Sequence, residues 1–450
     1  MKTEGIRQTM LFSRLFSQKV EADFDGGAIT SDAGALLLRE VDKRIGLTEA
    51  MAPCIPDPRN PLLTIHQQRA MLVQRVLGIA CGYEDLNDHQ TLRGDPCFQV
   101  LSDRSADPDR PLASPPTLWR LEDRADPKAI ADISSVFVET FIASFKTPPD
   151  TIILDFDSTD IPVHGDQERR FFHGYYDAYC FLPLYVFCGD QLLVSYLRTS
   201  RIDGAKNSRA VLKLLVKRLR QVWPNVRILV RADSGFCRWK LMKWCDANGV
   251  YYLLGLAQNP VLLKNAQPWT LPAEWHFLRT NQKVRLFGTF SYAAETWDRN
   301  RRVIVKAEHT GKGTNPRFLV TNLPGDAHEL YDDLYCARGD MENRIKEQQL
   351  DLFATRTSSH YFLHNQLRLL LAGAAYILTE TLRRVGLKGT SLENAQAGTI
   401  RTKLFKIGAL VKSSVRRVVF HLAGGFPLQA LFRQIVDRLT PSPSFVFSSG

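Results

Sequence analysis

Two short apolar runs, TIILDFDST at 151–159 and VRILVRADSGF at 226–236, each run out on an aspartate. Runs of this length, rich in Ile, Leu and Val and bounded by turn residues, form strands buried on both faces. Between them lie two more extended candidates, YYDAYCFLPLYVFC and QLLVSYLR. A helical stretch follows, GAKNSRAVLKLLVKRLRQVW, with Val211, Leu214, Leu215 and Leu219 on one face. CRWKLMKWCDANG then reads as helix and VYYLLGLA as strand. Strands, helix, strand, helix, strand predict a mixed α/β sheet over 151–261.

The flanks differ in texture. Residues 1–150 read as helical and irregular, with Ser31-Asp32 capping a helix that carries Leu37, Val41 and Ile45. From 262 to 330, KVRLFGTFSYAA, RRVIVKAEH and RFLVTNL predict a β-rich insertion without strong helices. Helices resume over 331–370 and continue through a helical region at 371–450.

A net charge of +11 favours a polyanionic partner, most often nucleic acid. No basic amphipathic arm points to a membrane instead. The N-terminus lacks the apolar core of a signal peptide. The most apolar stretch, LLLAGAAYIL at 369–378, is about half the ~20 residues of a membrane span. A soluble, cytoplasmic protein is expected. The eight cysteines (54, 81, 97, 180, 188, 237, 245, 336) form no C-x-x-C, so packed, reduced thiols are the default.

Three acidic sites stand out. Strand alternation puts Asp155 and Asp157 on one face, with Phe156 opposite. Two like charges there are unfavourable unless a cation or donor compensates. The blander reading is a strand ending in a polar turn, Ser158-Thr159-Asp160. Asp233 ends a second buried strand, where open α/β sheets place ligands. Its blander reading is an N-cap for the next helix. The third site is YCARGDMENRIKEQQLDLF, 335–353. There Tyr335, Arg338, Glu342, Lys346 and Gln349 fall within about 80° of one helical face. Met341, Ile345 and Leu352 form the adjoining apolar stripe. Pairing of Glu342 with Arg338 and Lys346 is worth only a few tenths of a kcal/mol, and leaves the Tyr and Gln unexplained.

LDFDSTD, RADSGF and the 335–353 stretch together resemble the three acidic motifs of bacterial insertion-sequence DDE transposases. The third has the Tyr-x2-Arg-x3-Glu spacing that defines one subgroup. HGDQERRFFHGYYDAYCFLPLYVFCGD and NPRFLVTNL resemble one branch of it, insertion sequence family thirteen-eighty. The resemblance spans roughly residues 25–420.

It implies an RNase H-like mixed sheet core, 151–261 and 331–370. A β-strand insertion at 262–330 would separate the second Asp from the Glu, and helical regions would flank the core. The helical region at 1–150 would recognise DNA ends. Asp157, Asp233 and Glu342 would be catalytic and bind two Mg²⁺, with Mn²⁺ substituting, and Asp155 is the alternative first acid. Tyr335, Arg338 and Lys346 would contact DNA. The implied function is binding of terminal inverted repeats, metal-dependent DNA cleavage and strand transfer, by a homodimer in a DNA synapse. One departure is visible: the subgroup's Lys, seven residues past the Glu, is Gln349 here. The rivals are a nuclease on the same core that cuts without joining, and a non-catalytic DNA-binding descendant.

Weaker signals surround these. Lys and Arg crowd 380–420, and TIRTKLFKIGALVKSSVRRVV interleaves them with apolar residues at helical spacing. Arg401, Lys403, Lys406, Arg416 and Arg417 are therefore candidate phosphate contacts. His360 and His364 have metal-ligand spacing but no third ligand, and TGKGTNP reads as a hairpin turn. LGIACGYEDLNDHQTL reads as a helical hairpin or a helix-turn-helix with Gly82 in the turn.

Overall fold

A computed structural model describes residues 9–440. Its main sheet lies in the larger of two compact units, formed by Ile45–Pro58 and Glu122–Glu380. The strands are Thr151–Ser158 (β1), Leu184–Cys188 (β2), Gln191–Tyr196 (β3), Arg227–Ala232 (β4) and Tyr251–Leu256 (β5). Val284–Tyr292 (β6), Arg301–Thr310 (β7) and Arg317–Thr321 (β8) complete the order β6-β7-β8-β5-β4-β1-β2-β3. A two-residue strand, Gly313–Thr314, adds to β7. β1, β4 and β5 are mutually parallel neighbours, and the outer pairs are antiparallel. The parallel trio sits at the centre because its runs are apolar nearly throughout and can be covered on both faces.

Pro127–Ala143 (α1), Ser208–Val222 (α2) and Trp239–Ala247 (α3) cover one face. Ile152, Leu154 and Phe156 of β1 and Ile228 and Val230 of β4 pack there with Leu212, Leu215, Leu219 and Leu241. The opposite face carries Leu229, Leu253, Ile304 and Leu319 beneath Ala327, Leu330 and Tyr331. The inward face of α2 is Leu212, Leu215, Val216 and Leu219. Leu214, expected inside, is 69% exposed. The real stripe is rotated about one position because Leu212 and Val216 complete it.

The region 262–330 opens with helix that its sequence reading did not expect, beginning with the end of Pro260–Asn265. Gln267–Thr280 (α4) is helical despite Pro272. Its helical period is masked because both sides are apolar: Trp269 stacks on Phe290, while Leu271, Trp275 and Leu278 are exposed. Gly288 of β6 is required there, since a Cβ would lie 1.9 Å from the Trp269 ring. The strands β6–β8 continue the central sheet through β8 and β5.

The smaller unit draws on residues up to Arg44, Arg59–Leu121 and Thr381 onward. Ile29–Thr30 pairs with Ala409–Ser413, which pairs with Val418–Leu422. This stretch of 371–450 is thus strand where helix was expected. Alternating burial of Ala409 and Val411 suits a strand as well as a short helix, and Ser413–Arg417 supplies the turn. Gly34 allows the backbone of Leu404 to approach: a Cβ would lie 1.7 Å from its carbonyl oxygen. Among the described residues, no helix is long and apolar enough to cross a membrane.

Candidate active site

β1 and β4 run side by side in register, Asp155 opposite Arg231 and Phe156 opposite Ala232. Asp157 and Asp233 therefore emerge one after the other at the carboxyl ends of adjacent parallel strands. Asp157 accepts from the Ser158 N–H at 2.8 Å, and Asp233 from the Gly235 N–H at 2.8 Å. The latter bond caps the turn Ser234–Phe236, so the capping role and proximity to Asp157 coexist.

Gly339–Leu350 (α5) supplies the third acid, with Met341 and Ile345 buried as anchors. The helix is not regular across the whole motif. Glu329–Tyr335 is a π-helical turn and Cys336–Arg338 a 3-10 turn. The angular spacing of Tyr335 and Arg338 to Glu342 thus departs from that of a single α-helix. The irregular turns nevertheless carry Arg338 to the carboxylates. It donates to Asp157 at 3.4 Å and to Glu342 at 3.0 Å. Asp157, Asp233 and Glu342 all act on the Arg338 guanidinium, raising its pKa against the effect of burial.

The electrostatics follow from this crowding. Burial pushes the Asp157 carboxyl up to about 6; Arg338 and the Ser158 N–H oppose that, and Asp233 and Glu342 add to it. Tyr335 is raised as well, by burial first and by Asp233, with Arg338 opposing. Glu342 and Lys346 are exposed, and Gln349 donates to the Asp160 carbonyl at 3.4 Å. In the place of the subgroup's Lys, the amide thus reaches the segment just beyond β1.

Asp155 points the same way as Asp157 but is spent differently. Both its oxygens bond the Arg231 guanidinium, at 2.5 and 2.7 Å, and both residues are buried. Arg231 also donates to the Leu334 carbonyl, tying the Glu-bearing segment to the sheet. The sequence reading overlooked Arg231. Its signal is positional: Asp155 and Arg231 each stand two residues before a strand-terminal Asp, on the same side of the sheet. Gly255 of β5 was overlooked too. A Cβ there would meet Ser234 N at 2.7 Å and the Tyr335 hydroxyl at 2.8 Å.

The basic candidates lie in the smaller unit. Arg401 donates to the Ala80 carbonyl at the end of helix Gln68–Cys81, and Lys406 pairs with buried Asp32 at 2.6 Å. Both bonds hold that unit together. Lys403, Arg416 and Arg417 are exposed, the last two in the hairpin turn.

Residues 12–444 match the family model described as Transposase DDE domain group 1. The chain belongs to the DDE transposases. No curated protein matches it. Among solved structures it is similar to the piggyBac transposase in a cryo-EM synaptic complex with hairpin DNA. Identity is 13% and the TM-score 0.43, over 84% of this chain and 80% of that one.

For a DDE transposase the donor chemistry matters most. Asp157, Asp233 and Glu342 offer only anionic oxygens, which suits a hard divalent cation. The raised Asp157 marks a place where added positive charge would be favourable. Among the described residues, no three His, Cys, Asp or Glu side chains stand close enough to share an ion. Glu342 instead faces Arg338, which acts as the local counter-charge.

Proposed function

We propose that the chain is the transposase of a bacterial insertion sequence, of the Tyr-Arg-Glu subgroup and the thirteen-eighty branch. It binds terminal inverted repeats, cuts DNA at the element's ends and joins the freed ends to target DNA. The observation that carries this reading is the meeting of Asp157 and Glu342 at one guanidinium, with Asp233 acting on Asp157 and on that guanidinium. The order β3-β2-β1-β4-β5, with β1, β4 and β5 parallel, supports an RNase H-like core.

In this mechanism Asp157, Asp233 and Glu342 would hold two Mg²⁺ ions, or Mn²⁺, once Glu342 leaves Arg338, and the ions would supply charge neutralisation at the scissile phosphate and activation of the attacking oxygen. Arg338 releases the carboxylates to become a phosphate contact, and its position on the turn before α5 keeps it within reach of both. Tyr335 and Lys346 extend that contact along the same segment. Asp155 and Arg231 position β1 against β4, leaving Asp157 as the first catalytic acid. Water attack at the element's end breaks a P–O3′ bond and frees a 3′-OH, and that hydroxyl attacks a target phosphodiester in line, displacing the target strand's own 3′-oxygen. Lys403, Arg416 and Arg417 bind phosphates of the element's end, within a homodimeric synapse in the bacterial cytoplasm.

The test uses purified protein, Mg²⁺ and DNA carrying the ends that flank the gene. Wild type is expected to yield 3′-OH ends and joined products, and Glu342→Gln to yield neither. Cleavage without joining would replace this reading with a nuclease. Tight binding without cleavage in either metal would leave a DNA-binding protein.

A further inference from the structure

The outer surface of α2 and α3 has no part in the chemistry above. α2 carries five Lys or Arg and no Asp or Glu. Arg209, Lys213 and Lys217 recur every four residues on one exposed stripe, and none has a carboxylate partner among the described residues. Like charges at this spacing destabilise a helix, and Arg209 also sits at the unfavourable positive end of the helix dipole. The residues needed for packing, Leu212, Leu215, Val216 and Leu219, lie elsewhere on the helix. The stripe therefore works against the stability of α2 and is not required by its core.

α3 extends the same charge. Lys213 lies over the Trp244 ring at 6.0 Å, and Lys240 and Lys243 lie over Trp239 at 5.6 and 5.8 Å. The nearby acids are already engaged. Asp246 binds Arg299 and Arg301, Asp203 binds Arg238, Glu139 binds Arg218, and Asp298, which also feels Lys243, binds Arg301.

We infer that this α2–α3 face is a docking surface for the phosphate backbone of duplex target DNA. A helix stripe of this kind offers a cation about every 6 Å, against one phosphate per ~3.4 Å of axis on each strand. The occupant is not the phosphodiester being cut, because α2 and α3 cover the sheet face opposite Asp155 and Asp157. Between the cations the exposed positions are Ala210 and Leu214, which offer no hydrogen-bonding group to a base edge. Backbone contact without base reading suits a target of arbitrary sequence. The identity of the duplex as target rests on the transposase reading, whereas the preference for a polyanion does not.

The test measures binding of a short random-sequence duplex by fluorescence anisotropy across a salt series. The triple variant Arg209→Gln/Lys213→Gln/Lys217→Gln keeps good helix formers at all three positions. Its salt slope should fall by about 3 and its affinity by about tenfold or more. Joining to target should fall with it, while cleavage at the element's ends persists. Lys213→Arg/Lys217→Arg, with Arg209 kept, should bind as wild type does, which separates lost charge from a folding defect. An unchanged slope and affinity would overturn the inference. So would lost end cleavage with intact random-duplex binding, which would assign the face to the element's ends. Should wild type neither cut nor join DNA, the transposase reading fails while the salt slope still decides the surface.

Discussion

Replacing Asp157 with Asn should stabilise the protein at neutral pH while abolishing catalysis. The free carboxyl titrates near 3.8, and in the fold it is pushed up to about 6 by burial beside Asp233 and Glu342. The folded state therefore holds a proton that the unfolded chain gives up between those values. Stability from this group is greatest below about 3.8 and declines as pH rises through about 6. At neutral pH the ionised carboxylate costs about 3 kcal/mol, at ~1.4 kcal/mol per tenfold change in proton affinity. Asn removes that cost but bonds Arg338 less strongly, so a net gain of about 1–3 kcal/mol is expected. Thermal unfolding in EDTA, at ~2–4 °C per kcal/mol for a unit of this size, reads the difference. Asp157→Asn should melt above wild type at pH 7.5 and lose the advantage by about pH 4. A variant that melts below wild type at pH 7.5, or shows a pH-independent difference, would refute the electrostatic account.

Other substitutions test neighbouring parts. Asp155→Ala strands the buried Arg231 charge and should cost about 3–5 kcal/mol in denaturant titration, whereas an apolar pair at both positions should recover most of it. A small loss in the single variant would mean water reaches the guanidinium. Gly255→Ala should displace the Asp233 turn, costing about 1–3 kcal/mol by overpacking and lowering DNA cleavage, and unchanged cleavage would show that the turn absorbs the methyl. Mg²⁺ should raise the melting temperature of wild type and not of Asp157→Asn/Glu342→Gln, with an equal rise in both arguing against those ligands.

Much of the core was legible because its strands announce themselves. TIILDFDS and RILVRA are apolar runs that only a covered, parallel position can use, and period-two alternation placed Asp155 and Asp157 together. What separates those two acids was hidden, since the Arg231 partner becomes visible only with the β1–β4 register. Helix α4 escaped notice because Trp269 on one side and Trp275 on the other erase the period. The turn geometry at Tyr335–Arg338 is likewise unreadable, as the choice among π, 3-10 and α turns is made by tertiary contacts such as Tyr335 against Gly255. Charge counts suggested phosphate contacts at Arg401 and Lys406, but could not show their bonds to the Ala80 carbonyl and to buried Asp32, which only the fold brings near.

The strand pairing of Ile29–Thr30 with Ala409–Ser413 orders events during synthesis. All of the nine-stranded sheet has been translated once Thr321 is made, so that sheet can close while the ribosome is still extending the chain. The smaller unit cannot, because residues near its start wait for a strand more than 370 positions later. At ~5–20 residues per second, the stretch from Thr321 to Lys406 takes roughly 4–17 s to add. Through that interval Asp32 lacks Lys406 and Gly34 lacks the Leu404 backbone against which it fits. A nascent chain therefore acquires its sheet before its smaller unit is complete, and truncation before residue 409 should yield a folded sheet beside an open N-terminal segment.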